Sequence, residues 1–510
     1  MKFTIKKHAT SVIIYPGKQA MESLAPLLEL HTFDDEYQDV TKVMGYMYDS
    51  NYDELYFHKG VDIAYIRRLL INTKTIDEPY HPYKPMKFDF EEILPPRDEE
   101  QRDCINFIAG IENHQENIND SQLFVVLSTG AGKTFCAGYG AGLYGAKTLI
   151  IMHRDNLRTQ WVKSLYELNG YSSKYVHEID SSTEFEAICR NQHDFDYDVY
   201  LITHATFRAG CKRVQDAHMI SDFTKNLGIG LKIIDEAHLE FNDTLMIDFL
   251  FNVKRNLYLT ATDGRSQRSE DAIFKYVFRN TAFYRRERSA LSHPAKWVEY
   301  ITVNIDTHVK RAVYQFRVNR GKGMSAVTYG KFVIGMDKSK THFRVCRELV
   351  RDIFINQPSS KVLVFMPLID LCIDCAYMIS KLNYDKSFDY DISVKTVHSH
   401  NSVTENEINK QSDVIVTTIQ SLGTGSDIKG VTDIICCTPM VSRIVVQQVL
   451  GRIRYINKKC HYYDIIDNSV PADMYWWKSR SKTLSKLCIS SNSITWVDTK
   501  EEAENGINEQ

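Results

Sequence analysis

The sequence has no long apolar run, no zinc-type cysteine pairs and little net charge. No hydrophobic stretch of its 510 residues approaches the roughly 18 residues that a membrane-spanning helix needs. Its first residues, MKFTIKKHATSVIIYPG, lack the apolar run and cleavage site of a signal peptide and are typical of a strand. We therefore expect a soluble, cytoplasmic protein with no membrane partner.

Cysteine usage gives no sign of a metal site. Eleven cysteines are scattered along the chain, and the one CxxC pair, Cys372 with Cys375, has no second pair at zinc-finger spacing. The apolar neighbours of this pair favour free thiols that pack in the interior. A reducing, intracellular compartment follows from this pattern.

Charge is distributed unevenly, although the formal net charge is only −3. Residues 1–120 hold 13 Lys and Arg against 22 Asp and Glu, a net of −9, whereas residues 307–345 hold 9 against 1, a net of +8. The basic segment contains Arg317, Arg320 and Lys322 among aromatic residues. It is either a solvated face or a surface that follows a phosphate backbone.

The stretch FVVLSTGAGKTFCAG, residues 124–138, runs from an apolar strand through a glycine-rich loop into a helix. This is the context of a phosphate-binding loop, in which backbone N–H groups close on phosphate oxygens. In such a loop Lys133 reaches the β- and γ-phosphates and the Thr134 hydroxyl is a candidate Mg²⁺ ligand. Leu127 stands where the general pattern GxxxxGK[ST] has its first glycine. The predicted ATP contacts of the loop are Thr129, Gly130, Ala131, Gly132, Lys133 and Thr134.

A second apolar strand, about a hundred residues later, ends in the sequence DEAH at residues 235–238. Carboxylates at the carboxyl end of a strand beside a phosphate-binding loop suit Mg²⁺ coordination by Asp235 and activation of water by Glu236. The alternative is a helix start that is capped by Asp235.

With STGAGKT and DEAH in this order and spacing, the chain resembles superfamily 2 helicases and translocases. The resemblance implies that Gln101, upstream of the loop, recognises adenine. It also implies nucleic-acid contacts by Arg154 in motif Ia and by Thr203 and His204 in motif Ib. The TAT sequence at residues 260–262 matches the motif that links the ATP state to domain closure.

A second set of motifs follows in residues 341–490. The segment DVIVTTIQSLGTGSDIKG resembles motif V, which implies that Thr418 contacts the DNA backbone. It also implies that Gly425 and Asp427 lie near the nucleotide.

The segment VVQQVLGRIRYI resembles motif VI. The resemblance implies catalytic roles for Gln448 and for Arg452 as an arginine finger. The usual last arginine of the motif is Tyr455 here, with Arg454 one place earlier. Whether Arg454 supplies a second finger stays open.

The resemblance implies an α/β fold with two tandem RecA-like lobes, each a parallel sheet flanked by helices, plus a small N-terminal α/β module. The predicted regions are the N-terminal module at 1–90, the first lobe at 91–285, a basic connector at 286–340, the second lobe at 341–490 and a polar tail at 491–510. The proline-broken segment at the end of the module is predicted to be a linker.

Because motif V runs on into TGSDIKG and motif VI is followed by YYDIIDNSV, the chain's strongest resemblance within the superfamily is to phage branch-migration helicases of the UvsW type. This resemblance implies an ATP- and Mg²⁺-dependent DNA helicase or translocase that acts on branched or forked DNA in replication, recombination or repair, with an RNA–DNA hybrid as a further substrate. We expect it to be a monomer. Three alternatives stay open: a nucleic-acid-binding scaffold with a degenerate ATPase, the motor part of a restriction or nuclease system, and an RNA helicase. No nuclease signature of the PD-(D/E)xK or HNH type is visible in the sequence.

Overall fold

The computed structural model divides the chain into two compact units, Met1–Glu287 and Arg288–Gln510. None of the helices in the described part of the chain is both long and apolar enough to span a membrane. The structure describes residues 2–30, 32–33, 43–78, 80–91, 93–127, 131–237, 239–261, 268–285, 297–307, 309, 325–422, 428–440, 442–453 and 458–496.

The first unit begins with a small α/β module built on a mixed five-stranded sheet. Its central strands β2 and β6 are almost entirely buried, whereas the edge strands β5 and β7 have no buried residue. The strands are β1 Phe3–Lys7, β2 Ser11–Tyr15, β5 Tyr46–Asp49, β6 Glu54–His58 and β7 Thr73–Asp77, with a separate pair β3 Thr32–Phe33 and β4 Val43–Met44. They lie in the order β5-β6-β2-β1-β7, and β1 and β7 are parallel. The helices of the module are α1 Gly17–Ser23, α2 Ala25–Leu30 and α3 Ile63–Leu69.

The first unit continues as a lobe with a seven-stranded parallel sheet in the order β10-β11-β9-β12-β13-β8-β14. Successive residues of its strands pack into two different apolar clusters, so both faces of the sheet are covered. The strands are β8 Gln122–Val126, β9 Thr148–Met152, β10 Val176–Ile179, β11 Val199–Thr203, β12 Leu231–Ile234, β13 Arg255–Thr260 and β14 Ala282–Arg285. The helices are α4 Glu99–Ala109, α5 Lys133–Tyr144, α6 Asp155–Asn169, α7 Ser182–Cys189, α8 His204–Val214, α9 Ala217–Leu227, α10 Phe241–Leu250 and α11 Arg268–Val277, with a 3₁₀ segment at Glu112–Asn119.

The second unit contains another seven-stranded parallel sheet, in the order β17-β18-β16-β19-β20-β15-β21. Its strands are β15 Val298–Ile305, β16 Val362–Phe365, β17 Val394–Val397, β18 Val414–Thr417, β19 Asp433–Cys436, β20 Cys460–Asp467 and β21 Ser490–Thr495. The helices are α12 Ala326–Tyr329, which continues as a π turn over Gly330–Ile334, α13 Thr341–Asn356, α14 Ile369–Tyr384, α15 Val403–Asn409, α16 Ile419–Leu422, α17 Arg443–Leu450 and α18 Pro471–Leu487. The predicted fold class, two tandem RecA-like lobes and a small N-terminal module, is confirmed.

Part of the predicted basic connector lies in the sheet of the second unit. Strand β15 is parallel to β20 and β21 and lies between them. Tyr329 and Val333, also from the connector, are buried in the apolar core of the same unit. Arg317, Arg320 and Lys322 lie outside the described residues. The predicted division of the chain at 90, 285 and 340 stays a prediction.

The proline-broken segment 79–88 was predicted to be a linker, but its described residues 80–88 pack on the first lobe. Its backbone bonds to distant parts of the lobe, since Met86 N–H donates to Gly145 O at 2.9 Å and Lys147 N–H donates to Lys84 O at 3.0 Å. The buried carboxylate of Asp198 accepts bonds from the N–H groups of Lys87 and Phe88. These bonds satisfy a backbone that forms no helix or sheet of its own.

A buried charged network joins the N-terminal module to the first lobe. Asp248 of α10 and Lys232 of β12 have no exposed surface, and their Oδ1 and Nζ atoms are 2.5 Å apart. The other carboxylate oxygen, Oδ2, is 3.0 Å from His58 Nε2 of the module and accepts a bond from the Tyr258 hydroxyl at 2.8 Å. Burial opposes ionisation, but Lys232 and His58 together hold the pKa of Asp248 below its ordinary value. The module is therefore attached to the lobe through the buried Asp248 carboxylate, whose charge is balanced by Lys232.

We expect Asp248→Asn to destabilise the first unit by about 3–5 kcal/mol, because the substitution leaves the Lys232 ammonium buried without its counter-charge. The free energy of unfolding from urea denaturation checks this value. As a control, Asp222→Asn removes a surface pair with Lys225 at 3.0 Å and should cost less than about 1 kcal/mol. Equal small effects of the two substitutions would contradict the interpretation of the network.

Candidate nucleotide-binding site

The phosphate-binding loop lies between β8 and α5, at the carboxyl edge of the first sheet. Ser128, Thr129 and Gly130 lie outside the described residues, and Ala131 is buried. Gly132 has φ +94° and is the N-cap of α5, with no side chain to accept bonds from the first turn of that helix. A Cβ at Gly132 would lie 2.4 Å from Nε2 of Gln101. Glycine is required here, and the first turn of α5 presents its N–H groups as an anion site does.

Lys133 and Glu236 form an ion pair between the two predicted ATPase motifs. The Nζ and Oε1 atoms are 2.8 Å apart, and both side chains are about nine-tenths buried. Lys133 begins α5, whereas Glu236 follows β12, 103 residues later. The parallel sheet therefore brings the lysine that is predicted to bind phosphate into direct contact with the glutamate that is predicted to activate water.

Asp235 is buried directly beside this pair. Its Oδ1 accepts a bond from Glu236 N–H at 3.0 Å, and its Oδ2 accepts one from the indole N–H of Trp161 at 2.8 Å. Burial and the neighbouring Glu236 carboxylate raise the pKa of Asp235 to about 6, against the opposing effects of Lys133 and Trp161. Two hydrogen bonds thus hold the Asp235 carboxylate in place, although its surroundings disfavour the ionised form.

The available side chains fit a magnesium ion. Asp235 offers carboxylate oxygens and Thr134, the second residue of α5, offers a hydroxyl, and hard oxygen donors are what Mg²⁺ prefers. Within the described ranges, no group of three or more His, Cys, Asp or Glu side chains could hold a metal ion. A magnesium ion here would therefore take its other ligands from phosphate and water, as is usual in nucleotide sites.

The backbone around the glutamate is strained. Glu236 and Glu240 have φ of +49° and +48°, values that cost a residue with a side chain of order 1–3 kcal/mol. Hydrogen bonds hold this turn, since Ala237 N–H donates to Leu259 O at 2.9 Å and Leu239 N–H donates to Glu236 O at 2.7 Å. The turn directs the Glu236 carboxylate toward Lys133.

Gln101 lies against the phosphate-binding loop. Its Nε2 donates to Ala131 O at 3.0 Å, and its Oε1 accepts a bond from Arg97 N–H at 2.9 Å. Asp98 caps α4 by accepting a bond from the N–H of Gln101. The residue predicted to recognise adenine therefore also links α4 to the loop.

The predicted nucleic-acid residues of the first lobe differ in exposure. Arg154, the N-cap of α6, is exposed. Thr203 and His204 are buried, and the Thr203 hydroxyl caps α8 by accepting a bond from Thr206 N–H at 3.1 Å. The Nδ1 of His204 is 3.5 Å from Oδ2 of Asp243. Contacts of these three residues with nucleic acid stay predictions.

Three of the predicted residues of the second unit, Thr418, Gln448 and Arg452, lie in its described part. Thr418 is buried and caps α16, with its hydroxyl accepting a bond from Ser421 N–H at 3.0 Å. Gln448 lies on α17 and is half-buried, and Arg452 follows that helix and is buried. Gly425, Asp427 and Arg454 lie outside the described residues. The roles of all these residues stay predictions.

Sequence reasoning missed the contact of Trp161 with Asp235. The available signal was the tryptophan in TLIIMHRDNLRTQW, since a buried indole N–H usually finds an acceptor. The acceptor itself lies 74 residues away and follows a different strand. Sequence spacing therefore gave no indication of the partner.

Comparison with known proteins places this lobe in a broad class. Residues 93–265, about a third of the chain, match the family described as "Type III restriction enzyme, res subunit", which belongs to the superfamily 2 helicases. The match supports a superfamily 2 helicase-type, ATP-dependent nucleic-acid motor. Proteins of this superfamily generally use ATP with Mg²⁺.

The chain is also similar to a solved structure titled "Crystal structure of Pyrococcus furiosus Hef helicase domain", with a TM-score of 0.44 and 14% sequence identity. The similarity covers 75% of this chain and 98% of that chain. No curated protein sequence gives a significant match.

We expect Gln101→Ala to weaken ATP binding about threefold to tenfold, because it removes the bond that fixes the loop at Ala131. If the amide also recognises adenine, GTP binding should weaken less than ATP binding. Fluorescence titration with labelled ATP and GTP measures both effects. Arg102→Ala, an exposed change on the same helix, is the control and should leave both affinities unchanged.

Proposed function

We propose that this chain is a nucleic-acid-stimulated ATPase that works as a DNA helicase or translocase. The observation that supports this proposal best is the 2.8 Å contact between Lys133 and Glu236, with the buried carboxylate of Asp235 beside it. A phosphate clamp, a candidate general base and a candidate metal ligand at one sheet edge fit phosphoryl transfer to water.

The chemistry follows from the competition for the Lys133 ammonium. A phosphate oxygen bound by Lys133 would compete with Glu236 for that charge and so release the carboxylate to accept a proton from water. The N–H groups at the start of α5 would hold phosphate oxygens. Asp235 and Thr134 would hold Mg²⁺, and the bound ion would neutralise negative charge on the phosphates.

The second unit is proposed to contribute the arginine finger. Arg452 carries a planar, permanently charged group that can neutralise charge developing on the γ-phosphate. Gln448 lies one helical turn earlier in the same segment. Arg454 is the candidate for a second finger, and Gly425 with Asp427 is proposed to lie near the nucleotide.

DNA binding is proposed to rest on backbone contacts and therefore to weaken with salt. Arg154, Thr203, His204 and Thr418 are the proposed contacts within the motifs. Arg317, Arg320 and Lys322 of the basic connector are proposed to follow phosphates. We infer branched or forked DNA as the substrate from the resemblance to UvsW-type branch-migration helicases, with action on an RNA–DNA hybrid as a further activity.

A second candidate function is the motor part of a restriction system. The printed description of the matched family supports it, because that family is described as a restriction enzyme subunit. The absence of a PD-(D/E)xK or HNH signature from the 510-residue sequence argues against a nuclease centre within this chain. Stimulation by branched DNA alone would favour the helicase, and stimulation confined to one duplex sequence would favour the restriction motor.

We expect Lys133→Ala to abolish ATP binding and Glu236→Gln to keep binding while slowing hydrolysis by about 10²–10⁴-fold, because only the second variant retains the phosphate clamp. Nucleotide binding and phosphate release measure the two effects separately. The control is Glu240→Gln, at a half-exposed position in the same turn, which should hydrolyse ATP at nearly the normal rate. A Glu236→Gln variant that fails to bind ATP would reject the role of Glu236.

We expect branched DNA to stimulate ATP hydrolysis more than linear duplex DNA or RNA does. The test compares the rate of phosphate release at equal nucleotide concentrations of a four-way junction, a fork, a duplex and an RNA hairpin. Stronger stimulation by RNA would make the chain an RNA helicase, and no stimulation by any of them would favour the scaffold with a degenerate ATPase.

A further inference from the structure

Trp161 lies in the interior of the first lobe, yet its one polar atom contacts the candidate metal ligand. The side chain is 1% exposed and packs in the same apolar cluster as Leu157 and Leu165 of α6. Its Nε1 donates to Oδ2 of Asp235 at 2.8 Å, a good distance for a bond to a carboxylate. Packing explains the burial of the ring but not its orientation toward a carboxylate.

The sheet brings these two residues together. Strand β9 leads into α6, and β12 leads into Asp235, and these strands are parallel neighbours with Ile151 opposite Ile234. Asp235 N–H donates to Ile151 O at 2.9 Å, which ties the two strand ends. The position of Trp161 relative to Asp235 is therefore set by hydrogen-bonded backbone and not by a loose loop.

Both oxygens of the carboxylate are held. Oδ2 accepts the Trp161 bond, and Oδ1 accepts the bond from Glu236 N–H at 3.0 Å. Two bonds to different oxygens fix the rotation of a carboxylate about its side-chain torsion. A ligand that is held before its ion arrives does not lose rotational freedom when the ion binds.

We propose that Trp161 is a positioning residue, whose indole N–H holds the Asp235 carboxylate in the orientation in which it binds Mg²⁺. The proposal rests on the proposed function, in which Asp235 is the metal ligand. Trp161 does not touch the nucleotide or the reacting atoms in this role. Its effect is on the affinity of the site for the divalent ion.

The test uses Trp161→Phe in the full chain, which keeps an aromatic ring and removes the N–H. The probe is Mn²⁺, whose binding in the presence of a non-hydrolysable ATP analogue is measured by electron paramagnetic resonance. We expect the Mn²⁺ affinity to fall by about 10–100-fold, as is usual when a residue that orients a metal ligand is removed. The affinity for the analogue without divalent ions should stay within about twofold of the wild type.

Two further variants distinguish loss of the indole N–H from a change in packing. Tyr171→Phe removes a different buried hydrogen bond of the same cluster, from the Tyr171 hydroxyl to Gly138 O at 3.3 Å, and should leave Mn²⁺ affinity unchanged. Benzothienylalanine at position 161 keeps the shape of the indole and replaces the N–H with sulfur, so it should reproduce the loss even if Trp161→Phe fails to fold. Normal Mn²⁺ affinity in the benzothienylalanine protein would overturn the proposal.

The role of Asp235 is tested in the same titrations. Asp235→Ala should lower Mn²⁺ affinity by itself, and adding Trp161→Phe to it should have no further effect, because the two side chains act as a unit. If Asp235→Ala binds Mn²⁺ as the wild type does, both the proposed metal site and the role of Trp161 are wrong. If Asp235→Ala weakens binding and the position-161 proteins do not, only the role of Trp161 is wrong.

Discussion

The parallel direction of the strands in the first lobe determines where its chemistry lies. Strands β8, β9, β12 and β13 end at one edge of the sheet, and the segments that follow three of them supply Lys133, Trp161 and Asp235. Residues far apart in sequence meet there without long loops, because each strand delivers its next residues to the same edge. The close contact of Lys133 with Glu236 follows from this arrangement and needs no contribution from the N-terminal module.

Strand β12 also carries the attachment of the N-terminal module. Lys232 lies three residues before Asp235 and forms an ion pair with Asp248, which in turn contacts His58 of the module. Replacing one partner leaves a buried charge, so the interface is sensitive to single changes even though its net stabilisation is small. The module is thereby part of one compact unit with the first lobe.

The sequence was sufficient to predict the two lobes, because the strand and helix signals are local, whereas the roles of the residues in the phosphate-binding loop and the DEAH turn stay predictions. Gln101 was predicted to contact adenine, and the structure adds a bond to Ala131 that no sequence spacing indicates. The segment 79–88 was predicted to be a linker because its prolines preclude regular structure, but its partners, such as Asp198, are distant in sequence. The network around Asp248 was missed for the same reason, since its members come from four separate elements.

Two buried aspartates of the first lobe differ in how the surrounding residues balance their charge. Contacts with the Lys232 ammonium and with His58 lower the pKa of Asp248, so its ionised form stabilises the fold, and this contribution is lost as the pH falls through its folded pKa. The pKa of Asp235 shifts in the opposite direction, because burial and Glu236 raise it to about 6. Ionisation of Asp235 above that pH therefore costs stability, and a divalent cation would offset the cost. The charge of Asp248 is thus balanced by nearby residues of the first unit. The charge of Asp235 is poorly balanced, at the edge where the nucleotide is proposed to bind.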